Sequence, residues 1–115
     1  MQTKELQELA TEALHDLKAQ DLTAIDVHEM TSITDVMIIC TGRSTRHVTS
    51  LAQNVATTAK QHKVTPVRME GEREGEWVIV DLGDVVVHVM LPETRAYYHL
   101  EDLWEPILKQ RAKQD

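Results

Sequence analysis

Residues 77–90 read WVIVDLGDVVVHVM, and this stretch leaves the chain few choices. β-Branched side chains crowd a helix but sit well on a pleated surface. Two such runs, WVIVD and VVVHVM, flank a break centred on Gly83. That pattern predicts a tight antiparallel hairpin. The same residues raise a chemical question, because Asp81, Asp84 and His88 could hold a metal or move a proton. A hairpin also uses aspartate for a purely structural reason: its side chain accepts nearby backbone N–H groups at the turn. A histidine within a strand is more often packed than catalytic. A metal site needs three or four ligands converging at about 2.0–2.6 Å. The six histidines, His15, His28, His47, His62, His88 and His99, show no ligand spacing.

The rest of the chain supplies what such a hairpin packs against. Leu6, Leu9, Ala10, Ala13, Leu14 and Leu17 recur at helical spacing and predict an amphipathic helix over 4–19. DLTAIDV, 21–27, alternates as a short strand, and 35–41, DVMIICT, is a continuous apolar strand that is covered on both faces or has one face waiting for a partner. Ser44 is placed to cap a second helix over 45–61, whose stripe is Val48, Leu51, Ala52, Val55, Ala56 and Ala59. TPVRME, 65–70, reads as a third strand and GEREGE as a solvated loop. Pro92 opens a last helix that ETRAYYHLEDLW carries forward, with a kink or restart at Pro106 before a basic tail. The order predicts a single α/β domain, a mixed sheet of about five strands flanked by helices. The domain is expected over 1–105 and the tail over 106–115.

Length and charge narrow the function. One domain suits 115 residues. No apolar run approaches the ~20 residues that span a bilayer. The first residues carry acids throughout, which predicts neither a secretory signal nor a transit peptide. The lone Cys40 sits in an apolar run and reads as a buried thiol, which fits a reducing cytoplasm. The net charge is −7, unevenly spread. Residues 1–35 hold eight acids and two bases, 36–69 hold five bases and no acid, and 70–84 hold six acids and one base. Nucleic-acid affinity comes largely from neutralising phosphates, so broad nucleic-acid binding, DNA included, is not expected. A basic protein partner fits the acidic surface.

Gly42 and Ser44 form a glycine turn after a strand, a pattern that could start an anion site in a nucleotide-handling enzyme. A nucleotidyltransferase would carry two aspartates one residue apart on the next strand to hold magnesium, and here that strand reads VRME. The aromatic residues point elsewhere. Trp77, Tyr97, Tyr98 and Trp104 are the only rings apart from the histidines. Trp77 follows a highly charged loop and is a candidate interface anchor, since Trp and Tyr bury much area and keep a polar handle. The bland reading has Trp77 and Trp104 closing the ends of the core.

SITDVMIICTGRSTRHV, EGEREGEWVIVDLGDVVVHVM and YYHLEDLW together resemble the ribosomal silencing factor family, also called the Iojap family. The resemblance covers nearly the whole chain to Trp104 and rests on Ser32, Asp35, Thr41–Gly42, His47, Glu70–Gly71, Trp77, the turn from Asp81 to Asp84, and His88. It is closest to the short proteobacterial members. It implies a fold similar to the nucleotidyltransferases without their catalytic acids, hence no enzyme, no cofactor and no metal. It implies binding to the large ribosomal subunit through ribosomal protein fourteen, a small basic protein of the subunit-joining face. Occupying that face blocks the small subunit and represses translation when nutrients fall. It also implies homodimers. Carried onto this chain, the family's binding surface is Trp77, Leu82 and Tyr98 as apolar anchors, with Asp81 and Glu70 pairing with basic groups of the partner. The basic stretch 36–69 either lies near ribosomal RNA or offsets the acidic segments within the fold.

Overall fold

The computed structural model describes residues 1–103. The expectations for Trp104, Pro106 and the tail lie outside the described residues. The elements follow in the order α1 (Thr3–Asp16), β1 (Gln20–Asp26), β2 (Val36–Thr41), α2 (Thr45–Gln61), β3 (Arg68–Glu70), β4 (Trp77–Asp81), β5 (Val85–Met90), α3 (Pro92–Tyr98) and a 3₁₀ turn over Leu100–Leu103.

The strands form one mixed five-stranded sheet in the order β1-β2-β5-β4-β3. β2 and β5 run parallel at its centre, and the other three pairings are antiparallel. β4 and β5 are the expected hairpin, closed by Leu82 N–H donating to the Val85 carbonyl at 2.9 Å. Gly83 sits in that turn at φ +90°, a left-handed conformation that side chains with a Cβ rarely adopt.

Side chains alternate along each strand, so the two faces of the sheet part company. Val36, Ile38, Cys40, Val78, Val80, Val85, Val87 and Val89 meet the apolar stripes of α1 and α2 in one buried cluster. Alanines at 10, 13, 52, 56 and 59 line the buried sides of the two helices. Asn54 ties them together by donating its Nδ2–H to the Ala13 carbonyl at 2.8 Å. Ser44 caps α2 as expected, its Oγ accepting the His47 N–H at 3.1 Å. Burial pushes the Cys40 thiol up to about 12, with Arg95 opposing weakly, so the thiol stays protonated and packs as a small apolar group.

Three local expectations change. α1 stops at Asp16, and Leu17 is 38% exposed rather than part of the stripe, because the chain turns through Lys18 at φ +63°. β3 shrinks to Arg68–Glu70, since Pro66 has no N–H to give a ladder. α3 ends at Tyr98, where His99 turns left-handed at φ +46° and its Nδ1 pairs with Asp102 Oδ2 at 3.1 Å.

Candidate docking surface

The sheet face away from α1 and α2 carries three rows of cross-strand neighbours. One runs Thr41, Met90, Trp77; the next Ile39, His88, Ile79, Glu70; the third Met37, Val86, Asp81, Arg68. The β1/β2 end is closed by a second cluster, Ile25, Val27, Met37, Ile39 and Met90, against which Met30 and Leu100 pack. Towards β4 and β3 the cover thins, and Trp77, Ile79, Asp81 and Val86 are half-buried while Arg68 and Glu70 are exposed.

Trp77 is the centre of this strip. Its Nε1–H donates to His88 Nδ1 at 3.0 Å. Tyr98 lies against it with ring centroids 5.0 Å apart and planes tilted by 48°, and Tyr97 meets Tyr98 edge-on at 5.0 Å. Tyr98 is 56% exposed, so the aromatic pair presents a face to solvent. α3 is held over the sheet by Arg95, whose Nη1 donates to the Asp21 carbonyl at 2.6 Å and to Thr41 Oγ1 at 3.0 Å. Glu70 shares a shallow hollow with Gly71, Trp77 and Ile79. Gly71 allows this approach: at φ +90° a Cβ there would stand 2.1 Å from the Trp77 carbonyl oxygen. Asp81 borders a neighbouring hollow with Ile33, Pro66, Arg68 and Gly83.

The trio in the hairpin does not converge. Asp81 Oδ1 accepts the Gly83 N–H at 2.8 Å, the turn role that aspartate fills without chemistry. Asp84 sits in the same turn but faces the start of β2, its carbonyl accepting the Asp35 and Val36 N–H groups and its carboxylate near the Thr3 hydroxyl at 3.5 Å. His88 is 7% exposed, and burial lowers its pKa to about 4. Among the described residues no group of three His, Cys, Asp or Glu side chains could hold a metal. At the Gly42–Ser44 turn His47 is already spoken for. Its Nδ1 accepts the Arg43 N–H at 2.9 Å and its Nε2 donates to the Leu17 carbonyl at 2.7 Å. β3, the strand after α2, presents Arg68, Met69 and Glu70.

The family called ribosomal silencing factor during starvation, RsfS, matches this sequence over residues 1–115. The chain belongs to the RsfS family. It is 48% identical over 104 residues to the ribosomal silencing factor RsfS of Chromobacterium violaceum, covering 90% of this chain and 85% of that one. It is 42% identical over 99 residues to the RsfS of Haemophilus influenzae, covering 86% and 97%. A crystal structure of a Chromobacterium violaceum protein superposes with a TM-score of 0.89 at 48% identity, covering 91% of this chain and 88% of that one.

Within this RsfS fold, four of the five residues expected to bind a partner share one side of the sheet: Trp77, Tyr98, Asp81 and Glu70. Leu82 departs from them. It is 5% exposed and packs in the helix-side cluster, away from the side that the other four share. Strand parity carries the reason, since Trp77, Ile79 and Asp81 alternate onto one face and Leu82 falls to the other. The same parity marks Ile79, which the sequence reading passed over. Arg95 carried no local signal, because its partners lie 74 and 54 residues away.

Proposed function

We propose that this protein silences translation by occupying the large ribosomal subunit, docking on ribosomal protein fourteen and keeping the small subunit away when nutrients fall. The observation that carries this reading is the Trp77–Tyr98 pair, in contact and open to solvent on a part of the sheet that α1 and α2 leave uncovered. Membership of the RsfS family supports it, as does the name ribosomal silencing factor borne by the relatives. Aromatic side chains of this kind dominate binding energy when a partner desolvates them. Glu70 borders the pair and Asp81 lies further along the same face of β4; both suit a cationic neighbour, and the net charge of −7 speeds the encounter.

A specific interface buries roughly 1,200–2,000 Å² in total, and exclusion of the small subunit then follows from bulk and position. No bond is made or broken. A second copy of the chain would cover the same strip, so self-association competes with docking. Arg43 and Arg46, exposed at the start of α2, supply any peripheral contact with ribosomal RNA. No helix among the described residues is long and apolar enough to cross a membrane, and the proposed place of action is the cytoplasm.

The test is co-sedimentation with large subunits. Trp77→Ala is expected to lower affinity about tenfold or more while the protein stays folded. A folded variant that sediments as the parent does would overturn the reading. Addition of purified ribosomal protein fourteen to a homodimer should yield a heterodimer, and a homodimer that persists counts against that partner.

A further inference from the structure

We propose that His88 is a positioning residue for the docking strip: its Nδ1 accepts the Trp77 indole N–H and holds the ring where it stacks on Tyr98. The inference rests on the docking role of Trp77 put forward above and says what prepares Trp77 for it.

Three observations converge on His88. It occupies the middle of an apolar row, with Ile39 on one side and Ile79 on the other. On the helix-side face of the same strand, Val85, Val87 and Val89 fill the places. An imidazole buried in such a row loses hydration, a cost that only a hydrogen-bond partner offsets, so its presence calls for one. The partner is the indole. Trp77 is opposite Met90 and diagonal to His88, a spacing that aromatic side chains span. The bond is 3.0 Å long, and the two rings lie 5.9 Å apart at 45°. The direction of this bond settles the tautomer: Nδ1 is the acceptor, so the ring is neutral and carries its proton on Nε2.

The surroundings agree with a neutral ring. β2 contributes no charged side chain. β4 contributes Asp81, one Oδ of which is held by the turn, and Glu70 of β3 stands beyond Ile79. α3 contributes Tyr98, reached through Trp77. Burial keeps His88 from taking up a proton until about pH 4, so the acceptor is present at neutral pH. An anchor already held in its bound orientation gives up less side-chain freedom on docking. Gly71 packs close against the Trp77 carbonyl, Tyr98 covers the ring from another side, and His88 removes its remaining rotation.

The experiment uses the full chain with Trp104→Phe, which leaves Trp77 the sole indole. His88→Leu removes the acceptor and keeps bulk; His88→Asn places an amide oxygen near the position of Nδ1. The indole N–H resonance of the free protein and the affinity for large subunits are then read together. The proposal expects His88→Leu to move the indole resonance upfield and to weaken docking about three- to tenfold. It expects His88→Asn to return the indole resonance towards the parent position and docking to within about twofold of the parent. In the parent the indole signal should change as the pH falls towards about 4, and in the Asn variant it should not. An unmoved indole resonance in His88→Leu, or equal loss of docking in the Leu and Asn variants, overturns the proposal. Should His88→Leu fail to fold, the Asn variant and the parent's titration decide it alone. Full docking by Trp77→Ala removes the docking reading itself, an outcome distinct from an indole that His88 does not hold.

Discussion

The two faces of the sheet share the same strands and meet opposite demands. On the helix side, Val78, Val80, Val85, Val87, Val89 and Ile38 are fully buried under two long helices. On the other side the rows grade from aliphatic at β1 and β2 to aromatic and acidic at β4 and β3. The first face is finished, since further association offers it nothing. The second is left part-covered, with polar atoms such as His88 Nδ1 and the Trp77 indole N–H satisfied by each other rather than by solvent. The contrast teaches that the domain's own packing and the proposed docking strip lie on opposite parities of one hairpin, so a substitution on either face should be felt in one property more than the other.

Core deletion gives the sharpest measure of that contrast. Ile38→Ala, at a fully buried position under the helices, should cost about 2–5 kcal/mol in urea denaturation. Ile79→Ala, half-buried on the other face, should cost about 1 kcal/mol or less. Similar losses at the two sites would mean that the faces are not energetically distinct.

Acid comes next. The folded chain keeps His88 neutral to about pH 4, whereas in the unfolded chain an ordinary histidine protonates near pH 6.5. The folded pKa is thus the lower one, and stability is whole above about pH 6.5. It is lost as the pH falls towards about 4, by about 3 kcal/mol in all. His88→Asn should remove this component from a series of urea midpoints, and an unchanged acid slope would show that the loss arises elsewhere.

Ser44→Ala strips the cap from α2 and should destabilise by about 1 kcal/mol with little change in large-subunit affinity, because Ser44 lies away from the Trp77–Tyr98 strip and Arg43 and Arg46 beside it make only a peripheral contact. A fall in affinity there would blur the division of labour. Asp81→Asn should be the mildest in stability, within about 0.5 kcal/mol, since the amide oxygen can still accept the Gly83 N–H. Its effect belongs to docking: the affinity for large subunits should fall a few-fold at low salt and converge with the parent at high salt. A salt profile identical to the parent's would remove Asp81 from the partner-facing fringe.

Much of this was legible from residue order. The hairpin around Gly83, the Ser44 cap, the full extent of α2 and the start of α3 at Pro92 depend on neighbours a few positions away, and local chemistry is what a linear reading sees. The aromatic and acidic candidates were also visible as residue types, whereas Leu82, carried over with them from the family's surface, falls on the helix side of the sheet. The order of the strands was not visible. The hairpin alone brings His88 within reach of Trp77, but placing β5 against β2 is what sets His88 beside Ile39 and buries it, and periodicity along a strand says nothing about which strand lies next to it. Nor was it visible that Arg95 would reach back to Asp21 and Thr41, drawing Tyr98 onto the indole. Backbone preference acts over one turn or one pleat, whereas contacts between distant segments form only when burial of apolar surface outweighs the entropy of closing the loops between them.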